Sequence, residues 1–565
     1  MSDFPWLNQY PQRVPQKINP HEYNSLLDIL EECFEKYGGH DAFENMGKSL
    51  TYREINDLSK AFAAYLQHEL GLKKGDRIAL QMPNLLQYPI ALFGALRAGL
   101  TVVNTNPLYT PREMEHQFKD AGISAVVIVA NFAHNLEKIV DKIPAKHIIV
   151  TKLGDMLGGF KGALVNFVVK NVKKMVPAYN IPGTISFKDV LSKGAKLSYQ
   201  RPEVESTDLA FLQYTGGTTG VSKGAQLSHG NVVAHTAQIH AWFKPLLEEG
   251  VRETMITAIP LYHIFALNVN GVFMAYIGAK NILITNPRDM PAFIKELKKH
   301  DFSLMTGVNT LFNGLMNQDE FKNVGFGKLK GSIGGGMAVQ DFVAKKWKEV
   351  TGKSLVEGYG LSETSPVLSC NPLDNTEKMG TIGLPIPNTE LAIFDSEGNK
   401  LPQGEVGEIC ARGPQVMKGY WGRDNADVFF EDGWFRTGDI GMMDEDGFFK
   451  IVDRKKDMIN VSGFNVYPNE VENVVADHPK VLEVAAIGVP HPKSTECVKI
   501  FVVKGDPSLT QEELHQYCDE NLTAYKTPKF IEFKDELPKT NVGKILRRVL
   551  KEEEAQKEKG QKVTS

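Results

Sequence analysis

Residues 77–129 read RIALQMPNLLQYPIALFGALRAGLTVVNTNPLYTPREMEHQFKDAGISAVVIV. Three short apolar runs, Arg77–Gln81, Thr101–Asn104 and Ala125–Val129, are separated by longer stretches with helical spacing of apolar residues, Leu85–Ala98 and Pro111–Asp120. Runs too short for helices and rich in Val and Ile predict buried strands, and their alternation with helices predicts parallel sheets covered by helices. A further helix is expected over Tyr52–Leu70, before a Gly-Asp turn at Gly75-Asp76. The fold class is therefore α/β.

With 565 residues the chain exceeds one hydrophobic core, so at least two domains are expected. After Arg454 the pattern changes: strands near Val484–Val489 and Lys499–Val503, a helix over Gln511–Asn521 and a strand at Phe530–Phe533 predict a small α+β unit of about 110 residues. The reading divides the chain into a large domain of parallel and mixed sheets, 1–455, and a small mobile domain, 456–565, with the charged tail 551–565 as a helix end followed by disorder.

Hydrophobic residues make up 42% and charged residues 23%, an ordinary globular composition. Lys plus Arg total 64 against 68 Asp plus Glu, so no basic excess points to nucleic acid and a small-molecule partner is expected. Cys33, Cys370, Cys410, Cys497 and Cys518 show neither disulfide-framework nor metal-ligand spacing, which fits a reducing cytoplasm. The first twenty residues lack the apolar core of a secretion signal. The most apolar long window, 259–279, contains Pro260, His263, Asn268 and Asn270 and reads as buried core instead of a membrane span.

The segment Tyr214-Thr-Gly-Gly-Thr-Thr-Gly-Val-Ser-Lys-Gly224 follows the apolar run Leu209–Leu212. A strand-to-loop passage of this composition can surround phosphate oxygens with backbone N–H groups and hydroxyls, because glycines remove the Cβ atoms that block close approach. It is not a Walker A loop, since Ser222 precedes Lys223 and Gly224 follows it.

Together with Pro260-Leu-Tyr-His263, Ser332-Ile-Gly-Gly-Gly-Met337, Glu357-Gly-Tyr-Gly-Leu-Ser-Glu363, Trp434-Phe-Arg-Thr-Gly-Asp439, Asp453-Arg-Lys-Lys-Asp457 and Pro538-Lys-Thr-Asn-Val-Gly-Lys544, this loop resembles the ordered motifs of the acyl-adenylate-forming superfamily: acyl-CoA synthetases, luciferases and peptide-synthetase adenylation domains. Segments 84–99, 106–115 and 461–471 are most similar to bacterial long-chain fatty acid–CoA ligases of the FadD type. The resemblance implies ATP, Mg²⁺ and coenzyme A as reactants or cofactors and a fatty acid as substrate. A medium-chain or aryl acid, or a carrier-protein acceptor, remains an alternative. So does a nucleotide sensor without catalysis, against which Lys544 and Glu363 both stand.

Residue by residue, the resemblance implies that Lys544 bridges the substrate carboxylate and the α-phosphate and that Glu363 holds Mg²⁺. Tyr214, Thr215, Gly216, Gly217, Thr218, Thr219, Gly220, Val221, Ser222 and Lys223 would surround the phosphates. Tyr359, flanked by Glu357, Gly358 and Gly360, would stack on adenine, against which the glycine run Gly334, Gly335 and Gly336 closes. Ser362, where relatives often carry Thr, would lie near the α-phosphate, and Asp439 and Arg454 would hold the ribose. Lys456 matches the hinge about which the small domain turns for thioester formation, bringing the face around Gly463 to the pantetheine. His263 would lie beside the acyl tunnel, and Phe265, Leu267, Val269 and Val272 are candidates for its lining by their proximity in sequence to His263.

Residues 160–176, FKGALVNFVVKNVKKMV, place Leu164, Val168, Val172 and Met175 on one helical face beside Lys161, Lys170, Lys173 and Lys174, with no acid. The pattern fits a helix resting on an anionic membrane surface, and equally one packed on the large domain. The expected location is therefore cytoplasmic and peripheral on the cytoplasmic membrane. Oligomeric state is left open by the residues, a homodimer among the choices.

Overall fold

The computed structural model describes residues 4–215, 222–454, 456–462, 464–491, 494–540 and 543–563. The segment 77–129 folds as its spacing predicts. Strands Arg77–Gln81, Thr101–Asn104 and Ala125–Val129 lie parallel in a seven-stranded sheet, with helices Gln87–Arg97 and Pro111–Ala121 between them. In sheet order the seven are Ile185–Ser186, His147–Thr151, Ala125–Val129, Arg77–Gln81, Thr101–Asn104, Leu209–Thr215 and Lys223–Ser228, and only the last pair is antiparallel.

Local chemistry sets the helix starts. Thr51 accepts from the Glu54 N–H and Thr110 from the Glu113 N–H, while each glutamate reaches back to the cap, so both helices begin on capping boxes. The second ends on Gly122 at φ 60°, a left-handed position that glycine occupies without strain. Every residue of helix Gln87–Arg97 is buried, the condition of a helix enclosed between layers. Its two polar ends find partners inside: Gln87 donates to Thr151 Oγ1 at 3.1 Å, and Arg97 donates to Asn56 Oδ1 at 2.7 Å while lying over the Phe34 ring.

A nine-stranded sheet forms the second half of the large domain. Six parallel strands at its centre, Leu355–Gly360, Gly331–Gly334, Leu304–Gly307, Thr254–Thr257, Lys280–Leu283 and Asp41–Asn45, carry antiparallel strands at both edges. The window 259–279 is buried core as expected, much of it the π-helix Ala266–Phe273, whose Asn268 donates to Ser365 O at 2.7 Å. A four-stranded antiparallel sheet, Glu390–Phe394, Gly407–Arg412, Phe435–Met443 and Phe449–Arg454, completes this domain.

The smaller C-terminal domain holds a five-stranded sheet built on Val481–His491 and Thr495–Lys504, with Phe530–Phe533 parallel to the latter. It encloses its own core around Val466, Val471, Val498, Ile500 and Leu514. The five cysteines are buried thiols.

The tail from 551 begins as the helix end that was expected: helix Arg547–Val563 runs along it, held by Lys499 to Glu554 at 2.7 Å and Lys534 to Glu553 at 2.7 Å, and residues 564 and 565 lie outside the described residues. One expectation is corrected: residues 160–176 are not one regular helix. An α-helix, Gly159–Phe167, passes into a π-turn, Val168–Val172, so the predicted face shifts: Phe160, Leu164, Phe167, Val172 and Met175 are exposed and Val168 is half-buried. The helix is anchored from beneath, where Gly162 abuts Gly154 so closely that a Cβ would lie 2.3 Å from the Gly154 carbonyl oxygen. Among the described residues no helix is long and apolar enough to cross a membrane.

Candidate active site

The motifs far apart in sequence converge where strands of both large sheets end. Leu209–Thr215 and Lys223–Ser228 form an antiparallel pair, with Tyr214 opposite Gly224 and Thr215 opposite Lys223, so the strands that flank the Gly/Thr loop in sequence are neighbours. Gly216, Gly217, Thr218, Thr219, Gly220 and Val221 lie outside the described residues, as does Gly463. Tyr214 anchors this strand pair, donating from its phenol to Asp120 Oδ2 at 2.7 Å; Asp120 also accepts from Arg423 at 2.7 Å. The Ser222 carbonyl is held by His116 Nε2 at 2.9 Å. Nothing in the local sequence marks Asp120 or Arg423 as part of this support.

Strands Gly331–Gly334 and Leu355–Gly360 are parallel, with Gly334 opposite Glu357, which brings the glycine run beside Glu357-Gly-Tyr-Gly360. Gly336 has φ +79°, and a Cβ at Gly360 would lie 1.9 Å from the Pro366 carbonyl oxygen, so neither position admits an ordinary side chain without distortion. A Cβ on Gly335 would stand 3.0 Å from the Phe265 ring, close beside the glycine run. Leu267 is fully buried in the core behind it.

Tyr359 is buried and donates its phenol to Asp439 Oδ2 at 2.7 Å. Strands Phe435–Met443 and Phe449–Arg454 pair Asp439 with Arg454, whose Nε lies 3.3 Å from Asp439 Oδ1. One carboxylate is thereby oriented by an aromatic residue on one side and a guanidinium on the other. Glu357 accepts from the Val339 N–H at 3.2 Å, and burial pushes its carboxyl up to about 8.

Lys544 enters from the C-terminal domain on a turn in which its N–H donates to Thr540 Oγ1 at 3.0 Å and its carbonyl accepts from the Thr540 N–H at 2.7 Å. Contacts across the domains seat this turn: Thr310 Oγ1 donates to Gly543 O at 3.1 Å and Arg288 to Thr540 O at 3.2 Å. The charge of Arg454, followed by burial, pulls the Lys544 ammonium down to about 7. Burial and then the Lys544 charge hold His263 near 4, so its imidazole is neutral at physiological pH. Lys456, just after strand Phe449–Arg454, is drawn down to about 8, chiefly by burial.

Glu363 sits in a short 3₁₀ turn, Ser362–Thr364, and is only 7% exposed. Its carbonyl accepts from the Met417 N–H at 2.7 Å and its Oε1 from the Tyr420 phenol at 2.6 Å. Burial raises its pKa, partly offset by the Tyr420 hydrogen bond, and among the described residues it has no ion-pair partner, so a hard cation would offset the desolvation cost that remains.

Cations presented by Lys544, Arg454 and Lys456 and a cradle of glycines suit a polyanionic nucleotide, and the buried Glu363 carboxylate suits a cation accompanying it. The AMP-binding enzyme model matches residues 30–421, and the AMP-binding enzyme C-terminal domain model matches 470–544. The chain belongs to the AMP-binding enzyme family. Within this family it is 58% identical to the long-chain-fatty-acid–CoA ligase of Escherichia coli O6:H1, across 97% of this chain and 98% of that one. It is 53% identical to the protein of the same description in Haemophilus influenzae, across 98% and 99% of the two chains. Among solved structures, ATP-bound MatB from Rhodopseudomonas palustris superposes with a TM-score of 0.79 at 27% identity, over 94% of this chain and 99% of that one.

Proposed function

We propose that this chain is a long-chain fatty acid–CoA ligase that converts a fatty acid, ATP and coenzyme A to acyl-CoA, AMP and pyrophosphate through an acyl adenylate. The observation that carries the reading is the convergence of Lys544 with Arg454 and Asp439, joined to near-full-length similarity to ligases of that description.

In the first half-reaction a fatty carboxylate oxygen attacks the α-phosphorus of ATP and pyrophosphate leaves. Two anions must approach each other, and Lys544 supplies the positive charge between them. Asp439 and Arg454 hold the ribose, Tyr359 packs against adenine along the Gly334–Gly336 run, and the loop from Tyr214 to Lys223 with Ser362 faces the phosphates. Glu363 would hold Mg²⁺, which neutralises charge on the departing pyrophosphate. Neutral His263 and Phe265, with Leu267 behind them, flank the entering acyl group.

In the second half-reaction the coenzyme A thiolate attacks the acyl carbonyl and AMP leaves. Lys544 occupies the site in the present arrangement, so the pantetheine requires the small domain, 456–565, to turn on a hinge at Lys456 and present the face near Gly463. Reversible contact with the inner face of the cytoplasmic membrane through 160–176 would meet a substrate that partitions into lipid; the exposed Phe160, Phe167 and Val172 beside lysines support that placement. Steady-state rates over acids of about four to about eighteen carbons test the reading. Rising kcat/KM toward the long acids is expected, and a maximum at medium-chain or aryl acids would replace it.

A further inference from the structure

Residues 417–421 form a strap between two parts of the site that no sequence motif connects. Gln226 N donates to Gly419 O at 3.0 Å and Trp421 N to Gly224 O at 2.8 Å, so the strap is laid against the strand leaving the Gly/Thr loop. At its other end the Met417 N–H donates to the carbonyl of Glu363 at 2.7 Å. Tyr420 lies between. Its phenol donates to Glu363 Oε1 at 2.6 Å, and its ring centroid is 5.2 Å from the Lys223 Nζ. The backbone of Tyr420 is itself clasped by Asn425, whose Oδ1 accepts from the Tyr420 N–H at 2.7 Å and whose Nδ2 donates to the Tyr420 carbonyl at 3.3 Å. One half-buried side chain therefore meets both the ammonium at the foot of the loop and the buried carboxylate.

We propose that Tyr420 is a positioning residue that sets the spacing and orientation of Lys223 and Glu363 so that ATP and Mg²⁺ are bound as a unit. The inference rests on the proposed roles of Glu363 and the Gly/Thr loop. A buried carboxylate whose oxygen accepts from one hydroxyl takes its orientation from that donor, and an ammonium over an aromatic face is held by the ring quadrupole. Removing the hydroxyl frees Glu363 while leaving the ring beneath Lys223. Removing the ring releases both.

The test is calorimetric titration of the full-length protein with ATP over a series of Mg²⁺ concentrations, without fatty acid so that nothing turns over, with AMP as the control ligand. A hydrogen bond to a charged group is worth roughly tenfold or more in affinity. Tyr420→Phe is therefore expected to raise the Mg²⁺ concentration giving half-maximal ATP affinity roughly tenfold, with AMP affinity unchanged, the thermal midpoint lowered only slightly and ATP affinity restored at excess Mg²⁺. Tyr420→Met should weaken ATP further, including without metal. Glu363→Gln separates the two layers of the argument. If it abolishes Mg²⁺ dependence and Tyr420→Phe leaves that dependence at the wild-type value, Tyr420 does not position the carboxylate. If Glu363→Gln itself keeps wild-type Mg²⁺ dependence, the reading of Glu363 fails first. Equal weakening of ATP and AMP with a lowered thermal midpoint in Tyr420→Phe would make the tyrosine a purely structural strut and overturn the proposal.

Discussion

Arg454 and Lys544, carried by different domains, face the same carboxylate, Asp439, and the Arg454 charge is the largest influence holding the Lys544 ammonium down to about 7. Two converging cations repel each other in the free protein. An anionic nucleotide placed between them removes that repulsion, so part of the binding energy of ATP is stored in this arrangement.

The first prediction concerns the charge on Lys544. Its pKa is depressed, so the ammonium is present below about 7 and lost as pH rises through that value. kcat/KM for ATP in ATP–pyrophosphate exchange, which reports the free enzyme, should fall as pH rises through about 7, while kcat should fall only at higher pH because bound phosphates favour the charged form. Lys544→Ala should lower exchange about 100 to 1000-fold or more and erase this limb of the profile. Given presynthesised oleoyl-AMP and coenzyme A, the same variant should form thioester at near the wild-type rate. Normal exchange in a folded Lys544→Ala protein would refute its assigned role.

Lys456→Pro should separate the half-reactions. Proline fixes φ near −65°, and a hinge must change its dihedrals between adenylation and thioester formation. Adenylate formation should survive and thioester formation should slow greatly, as measured by pyrophosphate exchange and by acyl transfer from preformed adenylate. Equal losses in both would place the hinge elsewhere.

The exposed patch made by Phe160, Phe167 and Val172, which are 83%, 58% and 64% accessible, lies on the segment carrying Lys170, Lys173 and Lys174. Reversing these three lysines to Glu should weaken co-sedimentation with anionic vesicles, since each contributes roughly 1 kcal/mol near such a surface. Activity on detergent-solubilised fatty acid should change little. Unaltered sedimentation would return the segment to a helix merely packed on its domain.

Glu357→Gln should alter the pH dependence of stability. Burial raises the native carboxyl from 4.5 to about 8, so its stabilising contribution is complete below about 4.5 and is lost progressively as pH rises to about 8. Glutamine cannot ionise. Thermal midpoints measured from about pH 5 to about pH 8.5 should therefore show the variant gaining on the wild type as pH rises, on the order of 1 kcal/mol or more at the alkaline end. A constant difference across that range would show that Glu357 is ionised in the native protein.

Much of this protein was legible from sequence because the relevant physics is local. Alternation of apolar runs with helical periodicity located strands Arg77–Gln81, Thr101–Asn104, Ala125–Val129 and Phe530–Phe533 and helix Gln511–Asn521 residue for residue, since backbone hydrogen bonding imposes those periods on any chain that buries one face. Ordered motifs likewise identified the family before any geometry was known. Local pattern ran out where long-range partners decide: it placed a helix end at the tail but not the ion pairs to Lys499 and Lys534 that the C-terminal sheet brings to helix Arg547–Val563, and the helical period over 160–176 breaks at a π-turn.

Only the tertiary structure brought Tyr359 to Asp439, set Arg454 beside Lys544 and placed Tyr420 between Lys223 and Glu363. These meetings depend on strand register and on how two domains abut. The motifs contain the residues of the site, but a distance between residues that lie far apart in the chain is fixed only when the sheets that carry them pack.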